Sequence, residues 1–120
     1  MKKAPLAVLL LTLNPLPAFA DGEYLLQRCR PAAEGLASSS AAQRTAGAYC
    51  FGLLQGIREL NAIYERKLGQ QAFFCLGETT LSHSANARLV VDYLEARPEA
   101  RLQNETLVAV RALRERYPCR

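Results

Sequence analysis

A chain of 120 residues carrying 15 lysines and arginines against 11 aspartates and glutamates has a formal charge of +4, and its basic residues are interspersed with acids. A nucleic-acid groove needs a clustered basic face, so that class of partner is excluded. One histidine, and four cysteines with no C-x-x-C pair, supply no zinc ligand set, and no glycine-rich loop is placed to cradle a phosphate.

The chain opens with Met1-Lys2-Lys3, an apolar run from Ala4 to Leu13, and Pro15 and Pro17 before Ala18-Phe19-Ala20. This is the layout of a cleavable signal peptide covering residues 1–20, and the run is shorter than the roughly 20 residues a spanning helix needs. The mature chain is therefore expected to start at Asp21, exported and free of the membrane after cleavage. Losing Lys2 and Lys3 leaves 13 basic residues against the same 11 acidic ones, a balance near +2. Residues 21–120 show no internal repeat and no linker, which makes them one domain of a size at which covalent staples help a thin core. Cys29, Cys50, Cys75 and Cys119, an even number in an exported chain, read as a disulfide framework.

Glu23 to Cys29 is predicted to form a short first helix ended near Pro31. Ser40-Ala41-Ala42-Gln43 has the form of a capping box and opens a long second helix, which Gly69 closes. Ala46, Tyr49, Cys50, Leu53, Leu54, Ile57, Leu60, Tyr64 and Leu68 recur along it at helical steps and form its apolar stripe. Gly52 and Gly56, four apart inside this helix, each cost about 1 kcal/mol relative to alanine, and close approach of another helix is the expected return. Residues 70–78 form a loop around Cys75, after which Thr79 or Thr80 is expected to cap a third helix that Pro98 stops. Asn104 caps the last helix, with Leu107, Val110, Leu113 and Tyr117 on its expected inner face and Pro118 at its end.

No stretch alternates with period two, so the fold class is all-α: a small bundle of about four helices stapled by two disulfides. An antiparallel hairpin of the third and fourth helices brings Cys75 close to Cys119, leaving Cys29 to pair with Cys50; two other connectivities are formally open. Catalysis finds little footing. His83 is the only imidazole and falls in the first turn of a helix, and Asp92 with Glu95 fits a solvated charged face near Arg88 and Arg97. A binding role without catalytic residues, metal or cofactor is what remains.

Three segments together resemble a known family. Ala48-Tyr49-Cys50-Phe51-Gly52-Leu53-Leu54-Gln55-Gly56-Ile57 is similar to the CxGYxxG helix of the Rap/Tai immunity proteins, which protect bacteria from amidase toxins delivered by type VI secretion. Val90-Val91-Asp92-Tyr93-Leu94-Glu95-Ala96-Arg97-Pro98-Glu99 resembles its VVxYLxxHPE segment, and Arg116-Tyr117-Pro118-Cys119 its terminal FPC. The chain carries Gly77 where that family usually has a proline after the middle cysteine. The resemblance implies a periplasmic helical homodimer that binds a cognate peptidoglycan amidase effector and blocks its substrate groove; a small periplasmic stress chaperone or envelope accessory protein is the alternative. An inhibitor of a cleft enzyme needs a projecting, braced element, and the turn of Arg97, Pro98, Glu99, Ala100, Arg101, Leu102, Gln103 and Asn104 is the expected one. Leu102 would be its apolar anchor within a polar rim, and Glu99 would offer a carboxylate like those of wall peptides. The Phe73-Phe74 loop is the other candidate.

Overall fold

The structure is a computed structural model and describes residues 21–120, so the expected leader lies outside the described residues. Four α-helices make up the fold of the described residues: α1 (Gly22–Glu34), α2 (Ala41–Leu68), α3 (His83–Ala96) and α4 (Glu105–Arg116). Short 3-10 turns follow α2 at Gly69–Gln71 and precede α4 at Pro98–Leu102. There is no strand among the described residues, only an isolated antiparallel bridge between Asp21 and Asn104. The all-α class and the two-disulfide layout thus stand.

α1 is the centre of the bundle, packed chiefly between α2 and α3, and Leu25, Leu26, Cys29 and Ala32 are wholly buried on it. It differs from its expected extent. Asp21 caps it by accepting a hydrogen bond from the Tyr24 backbone N–H at 2.9 Å, and it runs through Pro31 to Glu34. A proline inside a helix removes one backbone bond and crowds the preceding turn. Burial of Cys29 and Ala32 on either side of Pro31 outweighs that local penalty.

The capping box of α2 is formed as expected, with Ser40 Oγ accepting from Gln43 N–H and Gln43 Oε1 accepting from Ser40 N–H. Gly69 ends the helix at φ 55°, a backbone conformation that favours glycine. The buried residues of α2 are Gly47, Cys50, Leu54 and Asn61. Gly52 and Gly56 correct the sequence reading: both are exposed, and an added Cβ at either would meet nothing within 4 Å. Successive helical residues turn by about 100°, so Gly52 lies about 200° around the axis from Cys50 and Gly56 about 200° from Leu54, on the side away from the buried face. The close approaches occur at two glycines not singled out. A Cβ on Gly22 would stand 2.5 Å from the Ala100 carbonyl oxygen, and one on Gly47 would stand 2.8 Å from Leu36.

α3 starts later than expected, because Ser82 rather than Thr79 or Thr80 supplies the cap by accepting from Ala85 N–H at 3.1 Å. The residues between form a loop in which Gly77 takes φ 56°, a value closed to proline. Glu65 fastens this loop to α2 by accepting from the N–H groups of Leu76 at 3.2 Å and Gly77 at 2.9 Å. α4 begins at its expected cap, Asn104, and Leu113 is buried as expected, but the rest of its inner face is shifted: Val108, Ala109 and Ala112 are buried, while Leu107 is 44% exposed and Val110 and Tyr117 are half-buried. Small Ala109 and Ala112 bring the helix against the core more closely than the larger side chains at 107 and 110 would.

The disulfides pair as the helix order predicts. Cys29–Cys50 joins α1 to α2 at the centre of the core, with Cα atoms 5.1 Å apart and both residues fully buried. Cys75–Cys119 ties the loop before α3 to the chain end after α4, with Cα atoms 4.8 Å apart, and Cys75 N–H donates to the Tyr117 carbonyl at 2.9 Å beside it. No helix among the described residues is long and apolar enough to cross a membrane.

Candidate partner-binding surface

The turn between α3 and α4 is a braced projection. Pro98 starts it with a preset φ, and a single 3-10 turn carries the chain to Leu102. Backbone bonds close it internally, Ala100 N–H to the Arg97 carbonyl at 3.0 Å and Gln103 N–H to the Ala100 carbonyl at 3.1 Å. A third fastens it to the start of α1, where Gly22 N–H donates to the Gln103 carbonyl at 2.8 Å. The absence of a Cβ at Gly22 is what lets these backbones meet.

The polar and apolar side chains of this turn other than Pro98 and Ala100 divide into two groups. Arg97, Arg101, Gln103 and Asn104 hold it in place. Arg97 makes a two-pronged ion pair with Glu115, at 3.0 and 2.8 Å, and its guanidinium lies 4.3 Å from the centre of the Tyr93 ring. Arg101 Nε donates to the Leu94 carbonyl at 3.1 Å and reaches toward Glu23. Gln103 accepts from Arg111, and Asn104 Oδ1 accepts from the N–H groups of Thr106 and Leu107 at 3.0 and 3.2 Å. Glu99 and Leu102 are the ones left free: Glu99 is exposed and Leu102 is 85% exposed, the most open of the large apolar side chains among the described residues. A leucine held at the crest of a rigid turn loses little further entropy on docking, which is what a binding anchor requires.

A second link supports the same end of the molecule. The Tyr49 hydroxyl on α2 donates to Glu105, a buried carboxylate in the first turn of α4. The hydrogen bond to Glu105, then partial burial, then the carboxylate's charge push the Tyr49 hydroxyl from the ordinary value of 10.0 up to about 12. Tyr24 packs edge-on against Tyr49 at 5.3 Å and carries Arg28 on its ring. Nothing in the sequence pattern singled out this pair, since residues 49 and 105 are distant in the chain.

The Phe73-Phe74 loop lies on the α2 side. Phe74 is fully buried and Phe73 is 54% exposed. Asn61, itself buried, holds both: its Nδ2 donates to the Phe74 carbonyl at 2.7 Å, and its Oδ1 accepts from Phe73 N–H at 3.1 Å and Phe74 N–H at 3.3 Å. A polar residue at a core position of an otherwise apolar stripe was the available signal for this role.

The residues weighed for chemistry are dispersed. His83 is exposed and rests against Phe51 with ring centres 5.2 Å apart. Glu95 pairs with Arg30, and Asp92 is exposed. No group of three histidine, cysteine or acidic side chains converges among the described residues. What stands out on this face is an exposed leucine on a braced turn, with open grooves beside it. Comparison with curated proteins and with solved structures returns no match. A family model, described as Rap1a immunity proteins, matches residues 21–119, and the chain belongs to that family.

Proposed function

We propose that this immunity protein works in the periplasm, after cleavage of residues 1–20, by binding a peptidoglycan amidase effector of a type VI secretion system and closing its substrate cleft. The family match over residues 21–119 carries the reading, and the match begins where the A-x-A site ends. The braced turn supports it physically. A leucine exposed on a turn that is fixed by Gly22, Arg97, Arg101 and Asn104 suits entry into a cleft, where a loose loop would first have to be ordered. Two disulfides suit an oxidising compartment. The protein acts stoichiometrically and needs no chemistry of its own, and a homodimer, which the family resemblance implies, is part of the same proposal.

The test is to express the chain with its leader in cells exposed to the amidase in the periplasm, and to follow lysis. Protection that is lost when the leader is removed supports the proposal. Lysis unchanged by an exported, oxidised chain contradicts it. A general periplasmic chaperone is the second reading, favoured by the exposed apolar residues Ile63, Tyr64 and Leu68 along α2. It predicts suppression of aggregation for many unrelated clients, where the immunity reading predicts one tight complex.

A further inference from the structure

Residues of α2, the Phe73 loop and α4 line an open groove of about 610 Å³ beside the turn. Ile57, Leu60 and Phe73 form one wall, and Leu107 and Val110 form the other. Leu60 is 53% and Leu107 44% exposed, so the groove offers apolar surface to solvent on both sides. Asn61 lies at its base with its side chain committed to the backbone of Phe73 and Phe74, and Tyr64 packs edge-on against Phe73 at 5.7 Å. The walls are thus held from behind. Leu107, which the sequence pattern placed inward, is exposed in the structure, and Val110 is half-buried at the groove wall.

The charged residues lining the groove are Arg111 and Arg114, with no carboxylate among its lining. Neither forms an ion pair among the described residues. Arg111 donates to Gln103 of the turn, which joins the groove to the element that carries Leu102. Asn104 and Thr106 form the lip between them.

We infer that this groove receives an apolar side chain of the partner protein that is flanked by carboxylates, with Arg114 and Arg111 pairing those carboxylates at the rim. The inference rests on the binding role proposed above and adds its second contact and its chemistry. An apolar slot bordered on one side by cations discriminates by charge as well as by shape. A basic apolar segment would bring like charges together during desolvation, whereas an acidic one exchanges hydration for guanidinium–carboxylate bonds. A second copy set groove to groove across a two-fold axis is the poorer occupant, because the same lining on both copies would bring arginines together without an acid to meet them. Leu102 and the groove then act as one surface, a knob that enters the partner and an adjacent slot that is entered by it.

The test uses the oxidised chain, expressed with its own leader, and two short capped peptides. One is patterned Asp-Leu-Glu-Phe-Asp and the other Lys-Leu-Lys-Phe-Lys. In amide NMR spectra the acidic peptide should shift Leu60, Phe73, Leu107 and Val110, and should bind at least about tenfold more tightly than the lysine peptide at low salt. Leu107→Glu and Arg114→Glu replace exposed residues, so both variants should melt with the parent, and each should weaken the acidic peptide about tenfold. Equal binding of the two peptides, or shifts confined to other surfaces, overturns the inference. So does a stable dimer in sedimentation whose groove amides are protected and which Leu107→Glu dissociates, since the second copy would then be the occupant. The two readings fail separately. Full amidase inhibition by both variants, with no peptide bound, removes the groove alone, while peptide binding without amidase inhibition removes the immunity role alone.

Discussion

Asn61 is the residue whose removal should show most clearly how the candidate surface is supported. Its side chain makes three hydrogen bonds to the backbone of Phe73 and Phe74, in a region where Asn61 and Phe74 are both buried. At about 1 kcal/mol net for each bond, Asn61→Ala should cost about 3 kcal/mol, a large part of the roughly 5–15 kcal/mol that stabilises a domain. For a domain of this size that corresponds to a fall of roughly 12–24 °C in Tm. Asn61→Leu separates the possible causes, because leucine fills the space yet leaves the same two N–H groups and one carbonyl without partners. It should melt nearly as low as the alanine variant, while Asn61→Asp, which keeps the acceptor and loses the donor, should fall between parent and alanine. Thermal unfolding by circular dichroism with both disulfides intact reads all three. If Asn61→Leu melted within about 4 °C of the parent, the equivalent of about 1 kcal/mol or less, the hydrogen bonds would not be what holds the loop.

Four further outcomes follow from the same structure. Gly56→Ala should raise stability by about 0.5–1 kcal/mol in denaturant titration, because the added Cβ meets nothing and only helix propensity changes. Gly22→Ala should lower it by about 1–3 kcal/mol, because the Cβ would stand 2.5 Å from the Ala100 carbonyl oxygen and must push the turn away from α1. Under mild reductant, Cys75–Cys119 should open before Cys29–Cys50, as trapped-thiol peptide mapping would show, since the second pair is fully buried; loop entropy makes each bond worth about 3–4 kcal/mol. Tyr49 should ionise near pH 12 in a difference-absorbance titration, and Glu105→Gln should return it toward 10. Because the folded value is raised, the stability linked to Tyr49 is complete below pH 10 and is lost as pH climbs from 10 toward 12.

The parts of this fold that were legible in the sequence are those decided by local chemistry. Ser40 with Gln43 and Asn104 mark helix starts because side-chain oxygens near them satisfy backbone donors within three residues, a relation that needs no tertiary contact. The disulfide pairs followed from helix order alone. The end of α1 and the start of α3 did not follow. Pro31 reads locally as a helix stop, and only the burial of Cys29 and Ala32 carries the helix past it. Thr79, Thr80 and Ser82 offer the same capping hydroxyl, so local chemistry does not choose among them.

The misplaced faces have a common origin. Residues 107–110 of α4 are all apolar, with Ala112 and Leu113 beyond them, so two stripes one residue apart fit the helical period equally well. The stripe containing Ala109 and Ala112 faces the core because small side chains allow closer packing, and the other is left to line the groove. On α2 the glycine spacing suggested a contact, but the inward direction was already fixed by Cys50 and Leu54, and both glycines fall on the exposed side of the helix. The candidate turn was legible as a position between Pro98 and Asn104. Which of its residues brace it and which are free depended on partners far along the chain, namely Gly22, Glu115 and the Leu94 carbonyl. Arg101 therefore belongs with the supports, and Leu102 with Glu99 is the pair to replace when contact alone is to be tested.

Peptidoglycan hydrolysis by the type VI amidase effectors of the producing strain, followed as release of cross-link peptides against increasing amounts of the oxidised chain, tests the central claim most directly. Stoichiometric inhibition of one amidase is expected, with an inhibition constant weakened at least about thirtyfold, or about 2 kcal/mol, in the Glu99→Ala, Leu102→Ala double variant at unchanged Tm. No inhibition of any amidase would contradict the claim, and so would inhibition by a chain that binds unrelated unfolded proteins just as tightly.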